Sequence, residues 1–209
     1  MGSWSCFKIC TARPLAGDNQ DVIDYWRRRT TERFRYEVNF WYYHLRRAEE
    51  LYLRDEISSS PAWEELRREL DRFVQNDDFF KRWQWMLFLR EIETEYFTDL
   101  PWKPLHLASF LGLTSWAQHL IAGGHSLTER SGGVTPLLAA GLKADNLSIL
   151  ELLLEHGADP NDTDDRVGTP CLHRWLRHDQ SYKAMKLFID HGADPTKENP
   201  NRGIALHYL

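Results

Sequence analysis

Long apolar runs are missing from this chain of 209 residues, the longest notable one being Trp85 to Leu89. A bilayer needs roughly 18 consecutive apolar residues, so no membrane crossing is expected. The start shows no charged segment leading into an apolar one, which argues against secretion. Met1-Gly2-Ser3-Trp4-Ser5-Cys6 falls short of a myristoylation pattern, because Cys6 stands where serine or threonine is required. Cysteine is scarce as well. Cys6, Cys10 and Cys171 are too few and too irregular for a disulfide framework, and the setting expected is reducing, cytoplasmic or nuclear.

Neither sign of charge dominates. The net charge is −5, with 16 Lys+Arg against 19 Asp+Glu over residues 1 to 100 and 10 against 12 over the remainder. No basic half points to nucleic acid, and Arg27-Arg28-Arg29 reads as a solvated helix face. At 42% hydrophobic and 27% charged residues the usage is that of an ordinary folded chain.

The motifs of familiar chemistry are missing too. There is no Gly-x4-Gly-Lys-[Ser/Thr] phosphate loop, no His-Glu-x-x-His pair and no Cys-x-x-Cys. His173 and His178 are spaced poorly for two ligands on one helix face. Asp159-Pro160-Asn161-Asp162-Thr163-Asp164 has the oxygen-rich look of a calcium loop. However, Asp164 occupies its glycine position and Pro170 that of its bidentate glutamate. Serine has no glycine elbow, and Glu91, Glu93 and Glu95 share no close helical face. No metal site and no cofactor are expected.

What the chain does have is a repeat. Gly157-Ala158-Asp159-Pro160-Asn161 returns after 35 residues as Gly192-Ala193-Asp194-Pro195-Thr196, each copy following an apolar helical pattern. Pro104, Pro136 and Pro170 mark a second set of equivalent positions, 32 and 34 residues apart. Proline suits the first helical turn, a preceding threonine can cap that turn through its hydroxyl, and Gly124, Gly157 and Gly192 fall where a second helix should stop in a left-handed residue. Each unit reads as turn, helix, helix, long loop.

Pro104-Leu105-His106-Leu107-Ala108, Thr135-Pro136-Leu137-Leu138, Thr169-Pro170-Cys171-Leu172-His173 and Ala205-Leu206-His207, in phase with Gly-Ala-Asp, resemble the ankyrin-repeat family over Leu100 to Leu209. The resemblance implies about three and a half stacked units and a loop-tying role for His106 and His207. It also implies a protein partner on the concave surface of first helices and finger loops. Two units depart from the pattern, with Leu138 in place of the histidine and Cys171 inserted before Leu172-His173. On the implied surface the candidate contacts are Phe110, Thr128, Arg130, Lys143, Asp162, Asp164, Arg174, Trp175 and His178. Trp175 stands where the second unit has Ala140. A large aromatic there is either an interface anchor or packing around the inserted residue.

Residues 1–99 have a different texture: 21 of the 27 aromatic residues lie within positions 1 to 102. Phe34, Val38, Trp41, Leu45, Ala48 and Tyr52 form an apolar stripe at helical spacing. Ser60-Pro61 opens a second helix, and Asp77-Asp78 a third that is apolar almost all round from Trp83 to Leu89. The expected fold is all-α, a helical domain over 1–99 capping one end of a short repeat solenoid over 100–209, because a stack this short leaves ends that need covering. Asn39 to Glu49, followed by a helical spacer and the Pro104 entry, resembles the connector before the ankyrin array of fungal receptor-like proteins that carry a nucleotide-binding module.

Two functional classes follow. The first is an interaction module using the repeat surface. The second is a cofactor-independent cyclase or isomerase with an aromatic-lined pocket for a small apolar ligand, drawing on Trp41, Tyr43, Trp83 and Trp85 for ring faces and on His44 for acid–base work. Oligomeric state is left open by the sequence.

Overall fold

The computed structural model describes residues 102–143, 147–178 and 182–208, together with isolated positions between Tyr42 and Gln84. The chain divides into two compact units, Met1–Pro101 and Trp102–Leu209. In the first unit every described position is helical. Tyr42, Leu45 and Glu49 are buried there at spacings of three and four, so a carboxylate shares the inward face with two apolar side chains.

The second unit is built from helix pairs: α1 (Pro104–Leu111) with α2 (Thr114–Ala122), α3 (Pro136–Ala140) with α4 (Leu147–Glu155), and α5 (Cys171–His178) with α6 (Tyr182–Asp190). A 3₁₀ turn, Ala205–Tyr208, follows. The first helices stack as one layer, α1 on α3 and α3 on α5, with the 3₁₀ turn on α5; the second helices stack as another, α2 on α4 and α4 on α6. Among the described residues extended pairing is confined to two isolated bridges, Ser131 with Val134 and Thr163 with Pro170.

Local chemistry sets the helix boundaries. Pro104 and Pro136 occupy the first turns, and the residues before them, Lys103 and Thr135, are extended, as a following proline requires. Neither caps through its side chain, so the hydroxyl cap expected at Thr135 is not used. Gly157 and Gly192 both sit at φ 88°. There Gly157 N–H donates to Leu154 O and Ala158 N–H to Leu153 O, the paired bonds that close a helix in a left-handed residue. Gly192 and Ala193 repeat them on Ile189 and Phe188.

The irregular third unit is absorbed by a shift of one residue. Pro170 stays in the bridge with Thr163, and α5 begins at Cys171, which takes the place held by Pro104 and Pro136. Unlike proline, Cys171 has an N–H to satisfy, and it donates to Asp162 O at 2.9 Å. The register then puts His173 where His106 stands and Trp175 where Ala108 and Ala140 stand. Trp175 is wholly buried, and its neighbour in the second unit is Gly141, where an added Cβ would lie 2.8 Å from Trp175 Cδ1. The large ring fits because the adjoining unit gives up a side chain. Gly141→Ala is expected to cost about 1–3 kcal/mol through this clash, read as a lower urea midpoint.

Candidate functional site

The loops between units form a connected edge. The first ends in a two-residue tip, Gly132 at φ 63° and Gly133 at φ 77°, between bridged Ser131 and Val134. Two consecutive positive φ values define the tight hairpin turn that glycine pairs favour. The second loop is longer, and its centre is the carboxylate of Asp164. Oδ1 accepts the N–H of Arg166 at 3.1 Å and of Val167 at 2.7 Å, while Oδ2 accepts Thr169 N–H at 3.0 Å and Arg174 Nη2 at 2.7 Å. Asp164 is 3% exposed and Arg174 6%, so this is a buried ion pair with much of its hydrogen-bonding capacity met. Burial pushes the Asp164 carboxyl up, but the Val167 N–H and Arg174 outweigh it and hold the group below its ordinary 3.8.

Neighbouring loops are tied to one another. Arg130 donates to Gly133 O and across to Thr163 O, and it pairs with Asp162 and Asp165. Asp165 N–H returns a bond to Gly133 O at 3.0 Å. One step along, the Asn161 amide bridges to the third loop, donating to Gly192 O and accepting Asp194 N–H, and Lys197 Nζ donates to Asn161 O. Exposed pairs such as that of Arg130 with Asp165 contribute little individually. Their effect is to fix the loops relative to each other.

Two histidines brace the loops from below. His106 Nε2 lies 3.0 Å from Glu129 O and 3.1 Å from Val134 O, so it carries the proton and donates to both carbonyls. His173 Nε2 repeats this on Gly203 O at 2.9 Å, in the third loop. His207 instead accepts Ile204 N–H within its own turn, so the tying role expected of it falls to His173. Burial lowers the His106 pKa from 6.5 to about 4 and lowers that of His173 too. A group depressed in this way contributes stability that is complete above the unfolded pKa of 6.5 and is lost as pH falls toward 4. For His106 the interval is worth about 3 kcal/mol. Urea midpoints are therefore expected to fall between pH 7 and pH 4.5, with a flatter profile for His106→Leu. An unchanged midpoint would contradict the assignment.

The family model for ankyrin repeats (3 copies) matches residues 105–199. Residues 105–199 are ankyrin repeats. No curated protein matches the chain. Ankyrin repeats are in general a protein-interaction architecture.

Within the ankyrin array the expected contact residues fall into two groups. Phe110, Arg174 and Trp175 lie inside, at 2%, 6% and 0% exposure. Trp102 meets the Phe110 ring edge-on at 5.5 Å and the Lys143 ammonium lies 5.7 Å from its centroid. Arg174 is held by Asp164, and Trp175 packs edge-on against Phe188 at 6.2 Å and donates to Leu137 O. Phe110 and Arg174, expected as surface contacts, are instead packed inside, and Trp175 takes the packing alternative, its ring on Phe188 and its indole N–H on Leu137 O of the unit before. Asp164 is likewise interior. Thr128 and Arg130 are exposed, and Lys143 and Asp162 half-buried. His178 ends α5, but its side chain lies outside the described residues, as do His44, Trp41, Trp83 and Trp85. Tyr43 is 39% exposed, its ring stacked on Tyr42 at 4.4 Å.

Two surface residues escaped sequence reasoning. Val167, 50% exposed at the crest of the second loop, is an apolar side chain held out on a backbone whose N–H is fixed by Asp164. Arg177 is exposed on α5, one turn beyond His173. The one-residue shift of α5 hid Arg177, because it changes which positions of that helix face outward, whereas Val167 lies in the loop before it. Cys171 has no chemistry to offer: burial pushes its thiol well above 9.0. Among the described residues no group of His, Cys, Asp and Glu is arranged to hold a metal ion, and no helix is long and apolar enough to cross a membrane.

Proposed function

We propose that the ankyrin array binds a protein partner across its loops and first helices, with Val167 as the apolar anchor and Arg130, Lys143, Asp162 and Arg177 as surrounding polar contacts. The observation that carries this reading is the bracing of the second loop. Three backbone N–H groups on one buried carboxylate present an exposed valine in a fixed position. A rigid loop loses little freedom on association, and lost freedom is a main cost of binding. A mixed charge pattern around an apolar centre matches the anatomy of protein interfaces.

Photo-crosslinking side chains placed at positions 167 and 177 are expected to capture one and the same protein, while one at Glu151, exposed on α4, captures none of it. Val167→Asp is expected to reduce affinity for that protein about tenfold, or 1.4 kcal/mol, with an unchanged melting temperature. Equal capture from position 151, or full affinity in Val167→Asp, would place the partner elsewhere.

A further inference from the structure

The second and third loops are built on one plan. Asp164 N–H donates to Thr169 O and the Asp164 carboxylate accepts Thr169 N–H, while Asn199 N–H donates to Gly203 O and Asn199 Oδ1 accepts Gly203 N–H, both at 2.9 Å. Inside each closure the last residue but one returns its own N–H to the opening carbonyl, Gly168 to Asp164 O and Arg202 to Asn199 O. Arg202 therefore stands where the second loop has Gly168. It also shares the left-handed backbone of that glycine, φ 60° against 73°, and among the described residues no other side chain is carried on a positive φ. The Arg202 side chain is exposed and, among the described residues, makes no ion pair or hydrogen bond, not even with Glu198 of its own loop. Its outward direction belongs to the position. Gly168 has a loop on either side, yet a Cβ added there would meet nothing within 4 Å.

We infer that Arg202 receives a carboxylate of the protein partner, one loop along from Val167, an inference that rests on the binding reading above. An arginine on this backbone carries strain that a glycine would avoid, with no contact inside the array in return. Such a residue is explained by what its side chain meets outside. The planar guanidinium matches a carboxylate through two parallel hydrogen bonds. Phosphate groups on a partner are held by clusters of arginine instead. Here the basic side chains of the flanking loop edges are engaged already, Arg130 with Asp162 and Asp165, and Lys197 with Asn161 O. One open guanidinium fits one acidic side chain.

The test uses the whole chain and the protein crosslinked from position 167, with each Asp and Glu of its crosslinked segment changed in turn to Asn or Gln. Arg202→Gly is expected to weaken binding about fivefold. Its melting temperature is expected to hold or rise, because glycine takes φ 60° without strain. One acidic residue of the partner is expected to show the same loss against the unchanged chain and none against Arg202→Gly. Arg202→Lys, which keeps the charge without the paired geometry, is expected to lie between. Unchanged affinity in Arg202→Gly, with Val167→Asp still weakening binding, would overturn the carboxylate contact and leave the binding face standing. A loss that no acidic substitution in the partner reproduces would overturn it too, as would a lowered melting temperature, which would make Arg202 structural. Full affinity in Val167→Asp would overturn the binding face and this contact together.

Discussion

Trp175→Ala is expected to lower the unfolding free energy of the ankyrin array by about 3–5 kcal/mol, as judged by urea denaturation. The side chain is wholly buried and reaches out of its own unit into the one before, where its indole donates to Leu137 O at 3.4 Å. Truncation removes the ring from Phe188 and leaves a void beside Gly141, which has no side chain to collapse into it. Leu137 O keeps a bond from Gly141 N–H, so the carbonyl is not left unpaired and the loss is mainly one of packing. Trp175→Phe is accordingly expected to cost about half as much, because it keeps a ring on Phe188. Stability unaffected by Trp175→Ala, with partner capture abolished, would instead make the tryptophan an interface anchor.

Asp164→Ala is expected to cost about 3–5 kcal/mol, the usual penalty for removing one partner of a buried ion pair. Arg174 would lose its carboxylate, and the N–H groups of Arg166, Val167 and Thr169 would lose their acceptor together. Replacing both charges, Asp164→Ala with Arg174→Met, should cost less than the sum of the two single changes. Residues that share an interaction are not additive, and a hydrophobic replacement relieves the desolvation of the pair. Acid acts in the same direction. The Asp164 carboxyl is held below 3.8, so its contribution is present above that value and fades as pH falls through the lower folded value. Exact additivity of the two substitutions would show that they do not act as a pair.

The repeat was legible because its punctuation has few physical alternatives. Gly157 and Gly192 take a left-handed conformation that other residues avoid, and Pro104 and Pro136 fix the first turns. The third unit was less legible, since a single inserted residue is taken up by starting α5 at Cys171, and that shift decides which side chains turn inward. Trp175 was readable as large in a small place, but its burial depends on Gly141, 34 residues earlier, and sequence spacing does not reveal such a pair. Phe110 was expected on the surface for its place in the first helix, whereas Trp102 and Lys143 lie against its ring. Asp164 read as part of an acidic loop, and only the folded chain shows it turned inward on Arg174. Val167 has no sequence mark at all. Its exposure follows from the loop wrapping around Asp164.

The proposal that a braced loop face recognises a protein is tested most directly by hydrogen exchange of the chain with and without the protein captured at position 167. The account predicts slowed exchange on binding in residues 128–134 and 162–169, with residues 147–155 of α4 unchanged. Slowing confined to α4, with both loops exchanging as in the free chain, would contradict it.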